Sequence, residues 1–142
     1  MYHFYDSDIV IEQMTGASVS WIFDKEGENG FRQRETKVIK MLTEKNQIVL
    51  ATGGGAVITP INREYLKRGT IIYLRASVDV QYERTFRDRN RPLLQTTNPK
   101  QKLAELFAIR DPIYTEIADI IVTTGNAHPK KMVQEILQKL TT

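Results

Sequence analysis

The segment "IVLATGGGAVITP", residues 48–60, decides how the rest of the chain is read. Its first residues are apolar and β-branched, the composition of a buried strand. Three glycines, Gly53, Gly54 and Gly55, end that strand. Thr59-Pro60 then forms an N-cap and first-turn pair for a helix expected to reach Gly69. Glycines at a strand end permit positive φ and let a ligand touch main-chain N–H groups. They are not a Walker phosphate loop: G-x-x-x-x-G-K-[ST] needs a lysine, and Gly55 is followed by "AVITP". Nor do they match G-x-G-x-x-G, since the sixth position from Gly53 is Ile58. A tight structural turn and a ligand-contacting turn both remain open from these residues alone.

Outward from this segment the same alternation continues in both directions. "YHFY" (2–5) predicts a strand ending at Asp6, and "SDIVIEQMTG" a short helix stopped by Gly16. "VSWIF" (19–23) begins a second short helix closed near Gly27. Phe31, Val38, Ile39 and Leu42 then fall at helical spacing up to Glu44. "TIIYL" (70–74) and "DIIVTT" (119–124) are further strands. Ser77 caps a helix that runs into "RTFRDRNR" (84–91), and "RPLLQTTNPK" (91–100) reads as an exposed loop. Leu103, Leu106 and Phe107 mark a helix up to Asp111, with Pro112 beyond it, and Pro129 opens a last helix. Short continuous strands alternating with helices predict an α/β fold. Its parallel sheet would carry helices on both sides and have both strand faces covered, a three-layer sandwich. In such sheets ligands bind beyond the carboxyl ends of the strands, where "DSD" (6–8), "TGGG" (52–55) and "RAS" (75–77) lie.

Bulk properties narrow the classes. At 142 residues the chain fits one domain, 1–142. The absence of cysteine excludes disulfides and thiolate metal sites and fits a reducing cytoplasm. The start "MYHFYDSD" has no basic region followed by an apolar run, so no signal peptide is expected. No apolar stretch approaches the roughly 20 residues needed to span a bilayer. Net charge is +3, and four arginines lie in the eight residues 84–91, either a solvated surface or an anion site. Phe86 is the single aromatic there, which argues against a nucleic-acid surface.

The chemistry-bearing residues each have two readings. Asp6 and Asp8 could serve Mg²⁺ and accept a hydroxyl proton, or Asp8 could simply cap the helix that follows. Arg32 and Glu35, three apart on a helix, form a surface ion pair or a held arginine that grips a carboxylate. Arg110 stands in a last helical turn, where cations are common for structural reasons. Arginines of a mobile loop at 84–98 could close over a polyphosphate and stabilise transferring charge.

Taken together, "FYDSDIVIEQMTG", "IFDKEGENGFRQRE", "LATGGGAV", "RPLL" and "RDPIYTEIAD" resemble the shikimate kinase family from end to end of the chain. The resemblance implies a P-loop kinase fold of the nucleoside-monophosphate-kinase type. It implies transfer of the γ-phosphoryl of ATP to the 3-hydroxyl of shikimate, on the route to chorismate and aromatic amino acids. By the same resemblance Asp8 binds shikimate hydroxyls and acts as base, and Asp6 helps hold Mg²⁺. Arg32 and Arg110 clamp the carboxylate, with Glu35 orienting its neighbours. Gly53, Gly54 and Gly55 meet the substrate, and Phe23 and Phe31 form apolar walls. Arg84 lies near the adenine, and Arg91 is a lid arginine reaching phosphates and substrate. Substrate-binding helices are expected at about 8–45 and a lid at about 84–98. The implied partners are shikimate and ATP, without nucleic acid or membrane, in a cytoplasmic protein that is monomeric at full length.

One departure is visible. The family's first strand, phosphate loop and first helix have no counterpart in these 142 residues, and no G-x-x-x-x-G-K-[ST] occurs. The expectation drawn from this is a chain shortened at its N-terminus relative to the family, with strand edges and apolar faces exposed and a tendency to fold poorly or associate. A non-catalytic shikimate-binding module and another small-molecule kinase, such as a gluconate kinase, are the alternatives.

Overall fold

The computed structural model describes residues 2–87, 98–125 and 129–141. Arg91 and most of the expected lid at 84–98 lie outside the described residues, as do residues 126–128. The single domain expected for this length is organised as two compact units, Met1–Gly69 and Thr70–Thr142.

The first unit runs β1 (His3–Asp6), α1 (Ser7–Thr15), α2 (Val19–Thr43), β2 (Ile48–Ala51), a 3-10 turn (Gly54–Ile58) and α3 (Pro60–Leu66). β1 and β2 pair in parallel with Phe4 opposite Val49 and Tyr5 opposite Leu50. Because side chains alternate along a strand, Tyr5 and Leu50 share one face and Phe4 and Val49 the other. The first face packs on α1 and α2. Ile11, Ile22, Phe31, Val38 and Leu42 form the buried cluster, and Tyr5, Ile48 and Leu50 close it. Burying each such side chain contributes about 1.5–3 kcal/mol. Helix ends follow the sequence signals. Gly16 takes the left-handed conformation (φ 73°) that stops α1, and Ser18 accepts a hydrogen bond from the amide of Trp21 to start α2. The helix expected to close near Gly27 does break there. Gly27 has φ 74° and ψ 179° inside the span of α2.

The second unit runs β3 (Ile72–Ala76), α4 (Val78–Arg87), α5 (Pro99–Ile117), β4 (Ile120–Thr124) and α6 (Pro129–Thr141). β3 and β4 also pair in parallel, Leu74 opposite Val122 and Ala76 opposite Thr124. Val122, Ala76 and Leu103 are its buried apolar residues. Ser77 caps α4 by accepting from the amide of Val80.

Parallel pairing is as expected, but three features differ. The described strands form two sheets of two, and their faces are not all covered: Phe4, Val49 and Leu74 stay more than half exposed. In the first unit α1 and α2 pack on a single face of the pair, which leaves the opposite side chains in water. Second, α5 does not stop at Asp111 but carries Pro112 in its interior. Third, Thr59 occupies the N-cap position of α3 without making a side-chain cap bond.

Candidate active site

The candidate site in the first unit is assembled at the carboxyl ends of β1 and β2. Asp6, not Asp8, caps α1: its Oδ1 accepts from the amides of Asp8 (2.9 Å) and Ile9 (3.3 Å). This corrects the capping alternative for Asp8. The strand ends at Asp6 with extended backbone, so Asp6 is the residue whose side chain can reach back to the second and third amides. Asp8 therefore lies in the first turn of α1, where the helix dipole favours its negative charge. Across from it lies the strand end of β2. A Cβ added to Gly53 would come within 3.1 Å of Asp8 Oδ2 and 3.2 Å of Oδ1. Glycine at 53 thus leaves the carboxylate against bare backbone.

Gly55 does the same for Arg32. A Cβ built there would overlap the Arg32 guanidinium, 2.7 Å from Cζ and 2.8 Å from Nη1. Arg32 is held from below and behind. Its Nη1 donates to Glu35 Oε1 at 2.9 Å, and its Cζ sits 5.3 Å from the centroid of the Phe31 ring. Glu35 is fully buried, so this pair is not the weak surface contact that spacing alone allows. Phe31 is 3% exposed and packs against Phe23 with ring centroids 4.7 Å apart. Both rings thus form a floor continuous with the core. Beside Arg32 lies a shallow surface recess, open to solvent and bordered by Thr36, Lys37 and Thr59.

Arg34 has a separate task. It forms a two-bond fork with Glu26, both at 2.8 Å, spanning the break at Gly27. The Arg34 hydrogen bond draws the exposed Glu26 carboxyl below its ordinary range.

In the second unit Arg84 stands on α4, with Nη2 3.5 Å from Thr124 Oγ1 at the end of β4. Arg110 lies on α5, half-buried. Its neighbour Asp111 is fixed twice: Tyr73 donates to its Oδ1 at 2.7 Å, and Arg75 Nε does so at 3.1 Å. Tyr73 also stacks on Tyr114, centroids 4.6 Å apart. These contacts set the helical turn that carries Arg110.

Two further residues escaped the sequence reading. Asn62 is fully buried and donates to the carbonyl of Ala56 at 2.9 Å, and Arg63 Nε donates to that of Val57 at 2.7 Å. Both hold the 3-10 turn that carries Gly54 and Gly55. No local pattern marks them, because their partners are carbonyls five to six residues back rather than side chains.

Could Asp6 serve a divalent cation? Its Oδ1 is engaged with two amides, which leaves Oδ2 for a water or a cation. Mg²⁺ is commonly held through one or two carboxylates, with waters and substrate phosphates completing its shell. The donor fits that limited role. Among the described residues no group of three or more His, Cys, Asp or Glu forms a dedicated metal cage.

A parallel α/β fold with a carboxylate, a guanidinium and a glycine turn gathered at strand ends is the architecture of a small-molecule kinase of the P-loop class. The model of the shikimate kinase family matches residues 1–141. A shikimate kinase of Psychrobacter cryohalolentis is 58% identical over 138 residues, 96% of this chain and 74% of that protein. A crystallised shikimate kinase of Acinetobacter baumannii, in complex with shikimate, superposes with a TM-score of 0.96 at 51% identity, covering 99% of this chain and 79% of that one. The Aquifex aeolicus enzyme superposes with a TM-score of 0.83 at 36% identity, covering 99% and 82%. The chain belongs to the shikimate kinase family.

Proposed function

We propose that this protein phosphorylates the 3-hydroxyl of shikimate with ATP. The observation that carries the reading is the convergence on one glycine turn. Asp8 abuts Gly53 and the Arg32 guanidinium abuts Gly55, so a hydroxyl partner and a carboxylate partner stand two residues apart along one backbone. A small hydroxylated acid matches that spacing of functions. Within it, Asp8 orients the hydroxyl and takes its proton. Arg32, fixed by Glu35, binds the carboxylate, and Arg110 is a second carboxylate ligand. The backbone of Gly53, Gly54 and Gly55 approaches the ring, and Phe23 and Phe31 supply the apolar floor. Arg84 and Arg91 are assigned to the nucleotide, Arg91 to the charge that develops on the transferred group. Asp6 Oδ2 is the proposed contact for Mg²⁺, which when bound would neutralise phosphate charge. A cytoplasmic enzyme with no nucleic-acid partner, monomeric at the family's full length, completes the reading.

The test is calorimetric titration with shikimate, paired with a coupled ADP-release assay in ATP and Mg²⁺. Shikimate binding and shikimate-dependent ADP release are expected. Asp8→Asn should keep binding within about tenfold while turnover falls about 10²–10⁴-fold, the usual range for a lost general base. Asp8→Asn turnover equal to that of the parent would remove the base from the reading. Binding without ADP release would reduce the protein to a shikimate-binding module.

A further inference from the structure

We propose that Asn62 and Arg63 of α3 are positioning residues for Arg32, acting through the 3-10 turn Gly54–Ile58. This rests on the reading of Arg32 as the carboxylate ligand and extends it to residues that touch no substrate.

The end of a 3-10 turn leaves carbonyls without partners. Here three successive carbonyls of the turn accept from side chains of α3. Asn62 Nδ2 donates to Ala56 O at 2.9 Å, Arg63 Nε to Val57 O at 2.7 Å, and Arg63 Nη2 to Ile58 O at 3.4 Å. Asn62 is completely buried, and its Oδ1 finds no hydrogen-bond donor among the described residues. A buried acceptor of that kind costs stability, so an apolar residue would serve mere packing better. What Asn62 provides is a fixed place for the turn.

That place matters because of the next contact. The Cα of Gly55 lies so close to Arg32 that even a methyl group would overlap the guanidinium. The guanidinium is the far end of a flexible side chain, so a shifted turn moves it before it moves the helix beneath. Arg32 is thus gripped by four partners: Glu35 and Glu28 by hydrogen bond, Phe31 by its ring face, and Gly55 by contact. Three of these lie on α2 with Arg32 itself. The fourth is set by Asn62 and Arg63.

The test compares two probes by calorimetry: shikimate, and its alcohol analogue with the carboxylate reduced to CH₂OH. Their affinity ratio reads the carboxylate contact alone. Arg63→Gln and Asn62→Ala should lower that ratio about tenfold by weakening shikimate. The analogue should change by no more than about twofold. Circular dichroism reports folding. If Asn62→Ala does not fold, the partly exposed Arg63 still decides the matter. Equal weakening of both probes, or an unchanged ratio in Arg63→Gln, overturns the proposal. Arg32→Gln separates the two levels. If it collapses the ratio while Arg63→Gln leaves it intact, only the positioning role fails. If it leaves the ratio intact, the carboxylate assignment of Arg32 fails and takes the positioning role with it.

Discussion

Glu35 is a carboxylate with no exposure to solvent, and the Arg32 guanidinium stands against it at 2.9 Å. Removing one partner of a buried ion pair strands the other charge and costs about 3–5 kcal/mol. Glu35→Ala should therefore lower unfolding stability by that order in urea titration and also weaken shikimate binding, because Arg32 loses its anchor. A Glu35→Ala protein as stable as the parent would mean that the pair is not desolvated. Tyr73 gives a different kind of residue-scale prediction. Burial first, and then its hydrogen bond to Asp111, push its phenol well above the usual tyrosine range. The favoured form is the neutral one, so its stabilising contribution is complete below the unfolded-state value of about 10 and is lost as pH rises through the folded-state value. Stability should fall with alkaline pH above about 10, and Tyr73→Phe should remove part of that fall. Ultraviolet titration should show a late-ionising tyrosine. Loss of that late step in Tyr73→Phe checks the assignment, and a late step that persists would sink it.

Among the elements, α2 depends on a glycine that no helix propensity would place there. Gly27 has φ 74° and ψ 179°, a conformation essentially closed to residues with a side chain. Gly27→Ala should cost about 1–3 kcal/mol in chemical denaturation, although nothing crowds a Cβ at that position. A neutral outcome would mean that the two segments can join as one continuous helix. The break was readable in the sequence, as were Gly16, Ser77 and Pro129 at helix ends, because such signals act within a few residues. Pro112 was not readable in the same way. Locally it ends a helix, since its ring removes an N–H and crowds the carbonyl of Ala108. The helix continues because Asp111 is tied to Tyr73 and Arg75, and Tyr114 stacks on Tyr73, on either side of the proline. The site divides along the same line. Asp8, Arg32, Glu35 and the three glycines stand out by spacing and by family resemblance. The capping role of Asp6, the burial of Glu35, and the hold of Asn62 and Arg63 on the turn depend on chain segments brought together only by folding.

At the scale of the molecule, charge and apolar surface are unevenly reconciled. Phe4 and Val49 are register partners on one face of the β1–β2 pair and are 67% and 53% exposed. Leu74 on β3 is 52% exposed. On α6, Val133, Leu137 and Leu140 follow helical spacing and are also about half exposed. Single exposed apolar residues are ordinary, but contiguous ones on a strand pair are a surface that seeks cover. A net charge of +3 is small for 142 residues and offers little repulsion against contact between copies. The chain should therefore bind a hydrophobic dye in its folded state and self-associate as concentration rises, read by light scattering across a dilution series. Salt should strengthen this association, since it screens the residual repulsion without weakening apolar contact. Phe4→Thr with Val49→Thr keeps β-forming residues on the strands while removing apolar area from that face. The double variant should show less dye binding and a smaller scattering mass, with its unfolding midpoint close to that of the parent. A parent chain that stays monomeric and dye-silent at every concentration would show that these faces are covered in solution. A double variant that unfolds more easily would show that Phe4 and Val49 already stabilise the fold.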